Sequence, residues 1–332
     1  MRVTVVVNDA LGMKDGQTTT AIGVELVRRG LDCGVAGVAD LGLDEQGRAV
    51  ASVRVGAGDT AAAWNHSLRA SGVSTRTLGA GDLVLLRTNP GRGGRAWAHA
   101  VMLELMRAAR DQGAVVLNDP DALARARTKL FLRELPVDIR PRTLVSRAPA
   151  TIRAFLDTCP SCAVLKPLDG TQGRDVFRIP PEGSVNLPQI VDLLTREGHC
   201  MAQAFVPEAT RGDVRMIIVG GALLTVDGFG ATVRRVPGAG DFRSNVHVGG
   251  RAQLETPSPE LLAVAARAGR ALRQAGVFVC GLDVIGTKVV EANVYAPGGL
   301  TDASAFCGVD FVGALVDRFL AHAEACWAAT PR

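Results

Sequence analysis

The chain has 332 residues, 47% hydrophobic and 21% charged, which is enough apolar material for a sizeable core and excludes a disordered chain. Its net charge of +4, from 37 basic and 33 acidic residues, is small and dispersed, which excludes the basic footprint of a nucleic-acid binder. No stretch approaches the ~20 apolar residues of a membrane span, and the length suits about two domains.

The opening Met1-Arg2-Val3-Thr4-Val5-Val6-Val7-Asn8-Asp9 meets an acid at once and does not read as a signal peptide. Val3–Val7 reads as a buried strand and Thr18–Arg29 as a helix ending at Gly30. Short apolar runs follow at Val35–Val38, Leu83–Arg87 and Val115–Asn118. Between the last two, Arg95–Arg110 reads as an amphipathic helix with Trp97, Val101, Leu105 and Ala108 on its apolar stripe. This alternation predicts an α/β architecture with a doubly wound parallel sheet. The first strand–helix connection lacks GxGxxG, which argues against a nicotinamide enzyme.

From Pro120 the pattern changes. A helix is predicted over Asp121–Leu135, then strand Thr143–Ser146, helix Ala150–Thr158, strands Ala163–Leu168 and Val176–Ile179, a helix near Leu187–Arg196, and strand Met201–Val206. Met216–Val219 and Leu223–Val226 flank Gly220-Gly221, a hairpin signal. The stretch from Arg234 to Arg251, rich in Gly and Arg, reads as a mobile loop and not a core element. A helix Glu260–Gln274, a hairpin Phe278–Val294 and a helix Phe311–Cys326 complete the sequence.

Seven cysteines, an odd number, argue against a disulfide framework and for free thiols in the cytoplasm. Cys159-Pro160-Ser161-Cys162 has half a zinc-site spacing but no second pair, and reads as a turn before a strand. The lysines are more pointed. Only Lys14, Lys129, Lys166 and Lys288 are lysine among the 37 basic residues, which marks them as places where a compact ammonium is used instead of a flat guanidinium.

Three segments carry chemistry. In Leu165-Lys166-Pro167-Leu168-Asp169-Gly170-Thr171-Gln172-Gly173 a strand runs into a glycine turn whose backbone N–H groups suit a phosphate chain, with Lys166 at the floor; an ordinary turn with an exposed lysine is the alternative. In Gly281–Asn293, Glu291 and Asn293 share a strand face. A three-residue connection (286–288) sets Asp283 opposite Glu291, whereas a two-residue turn pairs Asp283 with Val290 and turns Glu291 away. With the odd loop, two carboxylates and an amide oxygen converge in a set suited to Mg²⁺ with bound phosphates; the alternative is a polar face paired with arginines. The third segment is the arginine set Arg215, Arg235, Arg243 and Arg251. It serves either as charge over a phosphoryl-transfer site or as a solvated basic loop.

Taken together, these pieces resemble the ATP-grasp superfamily and, within it, the prokaryotic glutathione synthetases. The matching segments are Thr128–Phe131, Leu165–Gly173, Met201–Gln203, Gly212–Arg215, Arg243–Asn245 with Val248–Arg251, Phe278–Gly286 and Glu291–Val294, in family order over essentially the whole chain. The resemblance implies an ATP-grasp fold: a substrate-binding α/β domain over residues 1–120, a small α+β subdomain with the glycine turn over 121–200, and a large one with the metal site over 201–332, the last two clamping ATP. Adenine would lie against Ala204, Phe205 and Val206 after Gln203, with Asp213 at the ribose. Lys129 and Lys166 would hold the α- and β-phosphates under the Gly170–Gly173 turn. Asp283, Glu291 and Asn293 would hold two Mg²⁺ ions, with Mn²⁺ as a substitute.

The implied activity is ATP-dependent activation of a carboxylate as an acyl phosphate, followed by amine attack to give an amide. Arg215 and Arg243 would offset charge on the reacting groups. Arg87 would bind a substrate carboxylate, and Arg235, Asn245, Gly298 and Gly299 would contact substrate. Here the chain departs from the family pattern: Thr88 follows Arg87 where a basic residue is usual, Gln172 replaces a turn glycine, and Tyr295-Ala296-Pro297-Gly298-Gly299 follows Asn293. The alternatives are another peptide-like amide from a specialised pathway, a protein-modifying ligase and a nucleotide-binding module without turnover. Small amino-acid or peptide substrates and a homo-oligomer, dimer or tetramer, complete what the resemblance implies.

Overall fold

The computed structural model describes residues 1–91, 96–169, 175–238 and 250–329. Gly170, Gly173, Arg243 and Asn245 lie outside the described residues. The architecture is mixed α/β, with three main sheets among the described residues.

The first sheet centres on strand Arg2–Val7, a β-branched run that pairs in parallel with Asp32–Gly37 and Asp82–Leu86. Val115–Leu117 extends it in parallel. These strands are buried on both faces, as parallel strands flanked by helices must be. Ile22 and Leu26 of helix Thr18–Arg28 pack with Phe311 and Phe319 of helix Phe311–Ala329 on one face. Met102 and Met106 of helix Ala96–Asp111 cover the other. The predicted parallel sheet is in fact mixed, because Leu41–Leu43, Ala49–Val55 and Ser74–Thr77 add an antiparallel extension.

Helix Ala96–Asp111 forms where expected but turns a different face inward. Ala98, Met102, Met106 and Ala109 are buried, whereas Trp97 is 71% and Val101 56% exposed. Small and flexible side chains let the helix lie close to the sheet; of the expected stripe, Leu105 and Ala108 pack partly buried against the core, and Trp97 and Val101 stay outside. The predicted helix over Asp121–Leu135 is interrupted. Helix Pro120–Arg125 starts at an Asp119 cap, and a separate 3₁₀ turn, Lys129–Glu134, starts at Thr128. There Thr128 Oγ1 accepts from Leu130 N, and Lys129 N donates to Leu168 O.

The second sheet, four antiparallel strands, runs Phe177–Ile179, Ala163–Pro167, Cys200–Ala204, Thr143–Ser146. The third runs Arg251–Leu254, Thr232–Val236, Asp213–Val219, Val279–Ile285, Lys288–Asn293, with Ala222–Leu223 paired to Asp213–Val219. The Gly220-Gly221 hairpin forms, although its second arm is only two residues long. The reading of Arg234–Arg251 as a loop is corrected at both ends. Arg234 and Arg235 belong to a strand paired with Asp213–Val219, and Arg251 opens another. The charge is tolerated because Glu255 accepts from Arg234 and Asp213 from Arg235.

Asn118 ties the first sheet to the third. Its side chain is buried, with Nδ2 donating to Val279 O and Val294 O and Oδ1 accepting from Phe278 N and Val279 N. The strand ends of the N-terminal sheet are thereby held against the Val279–Asn293 hairpin.

Candidate active site

The third sheet places a row of charged side chains on one face. Asp213 and Arg215 are two apart on one strand; Arg235 is the cross-strand partner of Asp213, Asp283 that of Arg215, and Glu291 that of Asp283. Side chains two apart, and those directly opposite, share a face. Asn293 joins the row opposite Gly281. Gly281 is needed here, since a Cβ would sit 2.9 Å from Pro297 and 3.1 Å from the Arg215 stem that crosses it.

The hairpin reaches this arrangement by a route that turn length alone does not give. Gly286-Thr287 is a two-residue turn, with Ile285 opposite Lys288, Val284 opposite Val289, and Gly286 at φ +56°. A regular ladder would then set Asp283 opposite Val290. A bulge between Asp283 and Val284 absorbs the extra residue, so Glu291 faces Asp283 after all.

Asp283 is the hub. Its carboxylate accepts from Arg215 Nε at 2.5 Å and Nη2 at 3.1 Å, from Arg235 Nη2 at 2.8 Å and from Asn293 Nδ2 at 3.1 Å. Burial alone would raise its pKa, but Arg215 and Arg235 outweigh burial and hold it well below the usual carboxylate range. Glu291 behaves oppositely: burial and then the Asp283 charge push its carboxyl up, against the pull of Lys166 and Lys129. Arg235 also forks onto Asp213 at 2.6 and 2.7 Å.

Two lysines approach this row from elsewhere. Lys166, on strand Ala163–Pro167, is buried and points its Nζ to the Val290 carbonyl at 3.5 Å. Burial lowers its pKa to about 8. Lys129 lies beside it, with Nζ 3.4 Å from Leu168 O, and burial lowers its pKa too. Gln203 is buried and donates to Thr143 Oγ1 at 3.1 Å. Ala204, Phe205 and Val206 follow it half-buried; Phe205 N donates to Cys162 O, and Arg178 stacks over the Phe205 ring at 4.6 Å.

Arg87 directly follows strand Asp82–Leu86 of the first sheet. It is buried, donates from Nε to Thr19 Oγ1 at 3.2 Å and from Nη2 to Pro297 O at 3.0 Å, and burial lowers its pKa to about 10. Gly298 accepts from Arg215 Nη1 at 3.2 Å, and Gly299 caps helix Leu300–Cys307 at φ +101°. The structure thus gathers Arg215, Arg235, Asp213, Asp283, Glu291, Asn293, Lys129 and Lys166 around one face. Arg87, Gly298 and Gly299 stand beside it through Pro297 and Arg215. Sequence reasoning did not reach Asn118, Thr19 or His99; a lone asparagine, threonine or histidine carries no spacing signal.

A divalent cation fits this donor set. Asp283 and Glu291 are hard oxygen donors on one face, and a bound cation would offset the burial and the Asp283 charge that push the Glu291 carboxyl up.

Two profiles of the prokaryotic glutathione synthetase match the chain: the N-terminal domain over residues 1–124 and the ATP-grasp domain over 128–308. The glutathione synthetase of Vibrio cholerae is 32% identical over 300 residues, 90% of each chain. That of Vibrio parahaemolyticus is 31% identical, again over 90% of each chain. Among solved structures, the ATP-grasp ligase PsnB complexed with minimal precursor superposes with a TM-score of 0.63 at 21% identity, covering 96% of this chain and 98% of that one. That likeness shows the fold.

Proposed function

Because the chain belongs to the prokaryotic glutathione synthetase family of ATP-grasp proteins, we propose that it forms a peptide-like amide through an acyl phosphate, with the row from Asp213 to Asn293 as its reaction centre. It is an ATP-dependent carboxylate–amine ligase that uses a divalent metal. The observation that carries the site assignment is the meeting of Lys129 and Lys166 with the Asp283–Glu291 pair, since a phosphate chain needs cations on one side and a metal-holding carboxylate face on the other.

Adenine packs against Ala204, Phe205 and Val206 beside Gln203, and Asp213 takes the ribose. Lys129 and Lys166 grip the phosphates. Asp283, Glu291 and Asn293 would hold two Mg²⁺ ions, or Mn²⁺ in their place, which would supply positive charge against that of the phosphate chain. The substrate carboxylate takes the γ-phosphoryl group in line, releasing ADP. The amine then attacks the acyl carbon, and collapse of the tetrahedral species breaks the bond to phosphate. Arg215 offsets charge on those species, Arg235 keeps Asp213 and Asp283 in register, and Arg87 with Gly298 and Gly299 positions the acid. Gly170, Gly173, Arg243 and Asn245 belong to the proposal on the resemblance alone. No nucleophile or catalytic histidine is called for, because positioning and charge neutralisation do the chemistry.

Small amino-acid or peptide substrates fit a ligase of this kind, and among the described residues no helix is long and apolar enough to cross a membrane. A cytoplasmic homo-oligomer, dimer or tetramer, with divisions near residues 120 and 200, completes the proposal. The test is ADP release from ATP and Mg²⁺ with γ-glutamylcysteine and glycine, beside other amino-acid and dipeptide pairs. Release that requires both an acid and an amine supports the reading; ATP hydrolysis indifferent to both contradicts it. A second reading, a ligase for a different amide, is favoured by one contact: Thr88 and Tyr295, the two departures flanking the substrate side, both touch His99.

A further inference from the structure

Strand Asp82–Leu86 sends its two following residues to opposite faces of the N-terminal sheet. Arg87 turns to Thr19 at the start of the first long helix. Thr88 turns the other way, its Oγ1 3.0 Å from Nε2 of His99 on helix Ala96–Asp111. The His99 ring meets the Tyr295 ring edge-on, with centroids 5.2 Å apart and planes at 66°. The Tyr295 hydroxyl donates to the Leu123 carbonyl. His99 and Tyr295 form part of the wall of a cavity of about 450 Å³, completed by Leu103, Phe131 and Leu132, which extends to Glu291 and Asn293.

The chemistry of this wall is apolar despite its residue names. His99 Nε2 and the Tyr295 hydroxyl are already engaged, so the wall offers ring surface and aliphatic side chains. Burial and the nearby Arg127 lower the His99 pKa to about 4, which keeps the imidazole neutral near pH 7. Six charged residues also line it: Glu104 pairs with Arg107, Lys129 feels the charges of Glu291 and Asp169, and Arg127 has no acidic partner among the described residues. An anion, an ammonium and an uncharged side chain therefore each have a complementary surface. Arg87 lies on the far side of the sheet end, so a donor acid held there leaves this cavity open to the second reactant.

We propose that the cavity is the amine subsite and takes a free α-amino acid with a bulky, uncharged side chain packed on His99 and Tyr295, its carboxylate on Arg127 and its ammonium toward Asp169. The inference rests on the ligase reading but not on any particular acid. Glycine has no side chain to place there and would leave most of the volume to water.

Tyr295 is the sole tyrosine of the chain, so 3-fluorotyrosine gives one ¹⁹F resonance inside the cavity. The labelled protein, with Mg²⁺ and ADP, is titrated with L-leucine, L-phenylalanine, glycine and L-glutamate. Leucine and phenylalanine should shift the resonance saturably, with apparent Kd at least about tenfold below that of glycine. Ala100→Phe, which fills the cavity from the outer helix, should abolish the leucine response while ADP still raises the melting temperature, which separates a filled cavity from a misfolded chain. Equal responses to glycine and leucine, no response to any of the four, or an unchanged leucine response in Ala100→Phe would overturn the assignment. ADP release with some acid–amine pair beside a silent resonance refutes the subsite and leaves the ligase standing. A saturable leucine shift in a protein that releases ADP with no pair supports the subsite and counts against the ligase reading.

Discussion

Replacing Asp283 by asparagine should cost both stability and turnover, whereas Glu291→Gln should cost turnover alone. The two carboxylates are cross-strand neighbours, but their surroundings are opposite. Asp283 is almost fully buried between two guanidiniums, with side-chain exposures of 12% for Arg215 and 10% for Arg235. Removing one partner of a buried ion pair costs about 3–5 kcal/mol. Arg235 keeps Asp213, so only Arg215 loses its counter-charge outright, and the lower end, about 3 kcal/mol, applies. An unfolding entropy of about 2.1 cal/mol/K per residue over 332 residues gives about 0.7 kcal/mol/K, hence a fall in Tm of about 4 °C for unfolding as one unit. Burial and the Asp283 charge disfavour the ionised form of Glu291, so glutamine at that position should leave Tm unchanged or raised. The pH dependence has a definite sign. The folded-state pKa of Asp283 is depressed, so its contribution is fully present above about pH 4 and is lost as pH falls below that value. Scanning calorimetry of both variants without nucleotide, with turnover measured alongside, checks the contrast. A Tm for Asp283→Asn equal to wild type, or an equal loss in Glu291→Gln, would refute the hub assignment.

Lys166→Arg should weaken ADP binding by calorimetric titration, because a planar guanidinium does not fit a buried site shaped for an ammonium; wild-type affinity would make the sparing use of lysine accidental. Arg87→Ala should raise the apparent KM for the acid substrate more than that for ATP, and equal changes would remove Arg87 from the acid site. Cys159→Ser with Cys162→Ser should keep turnover within about twofold, since neither thiol is in a disulfide and a serine oxygen can still accept from Arg142 and Arg178, which donate to the two sulfurs; a loss above tenfold would give the pair a chemical role.

Much of the site was legible because its chemistry depends on residue types at fixed offsets. Lys129, Lys166, Asp283, Glu291 and Asn293 stand out by scarcity or strand parity, and parity survives folding unless the ladder is irregular. It is irregular here. The bulge at Asp283/Val284 lets a two-residue turn coexist with an Asp283–Glu291 pair, and the sequence offered these as exclusive choices. Arg234 and Arg235 misled for a related reason: their counter-charges, Asp213 and Asp283 on other strands and Glu255 just past the end of another, are supplied only by the fold. Helix Ala96–Asp111 was correctly placed but its buried side was not, because apolar residues occur on both sides and Trp97 outweighs Ala98 and Ala109 in any reading by hydrophobicity. The antiparallel strands Leu41–Leu43 and Ser74–Thr77 are short and only partly buried, which leaves little periodic signal.

The most direct test of the reaction centre follows oxygen. With an acid substrate labelled with ¹⁸O in its carboxylate, single turnover with ATP, metal and amine should deliver one ¹⁸O from the carboxylate to the released phosphate, read by mass spectrometry, because the acyl phosphate breaks at the carbon–oxygen bond. Phosphate released without label while the amide forms would contradict the acyl-phosphate mechanism and, with it, the role given to the Asp283–Glu291 face.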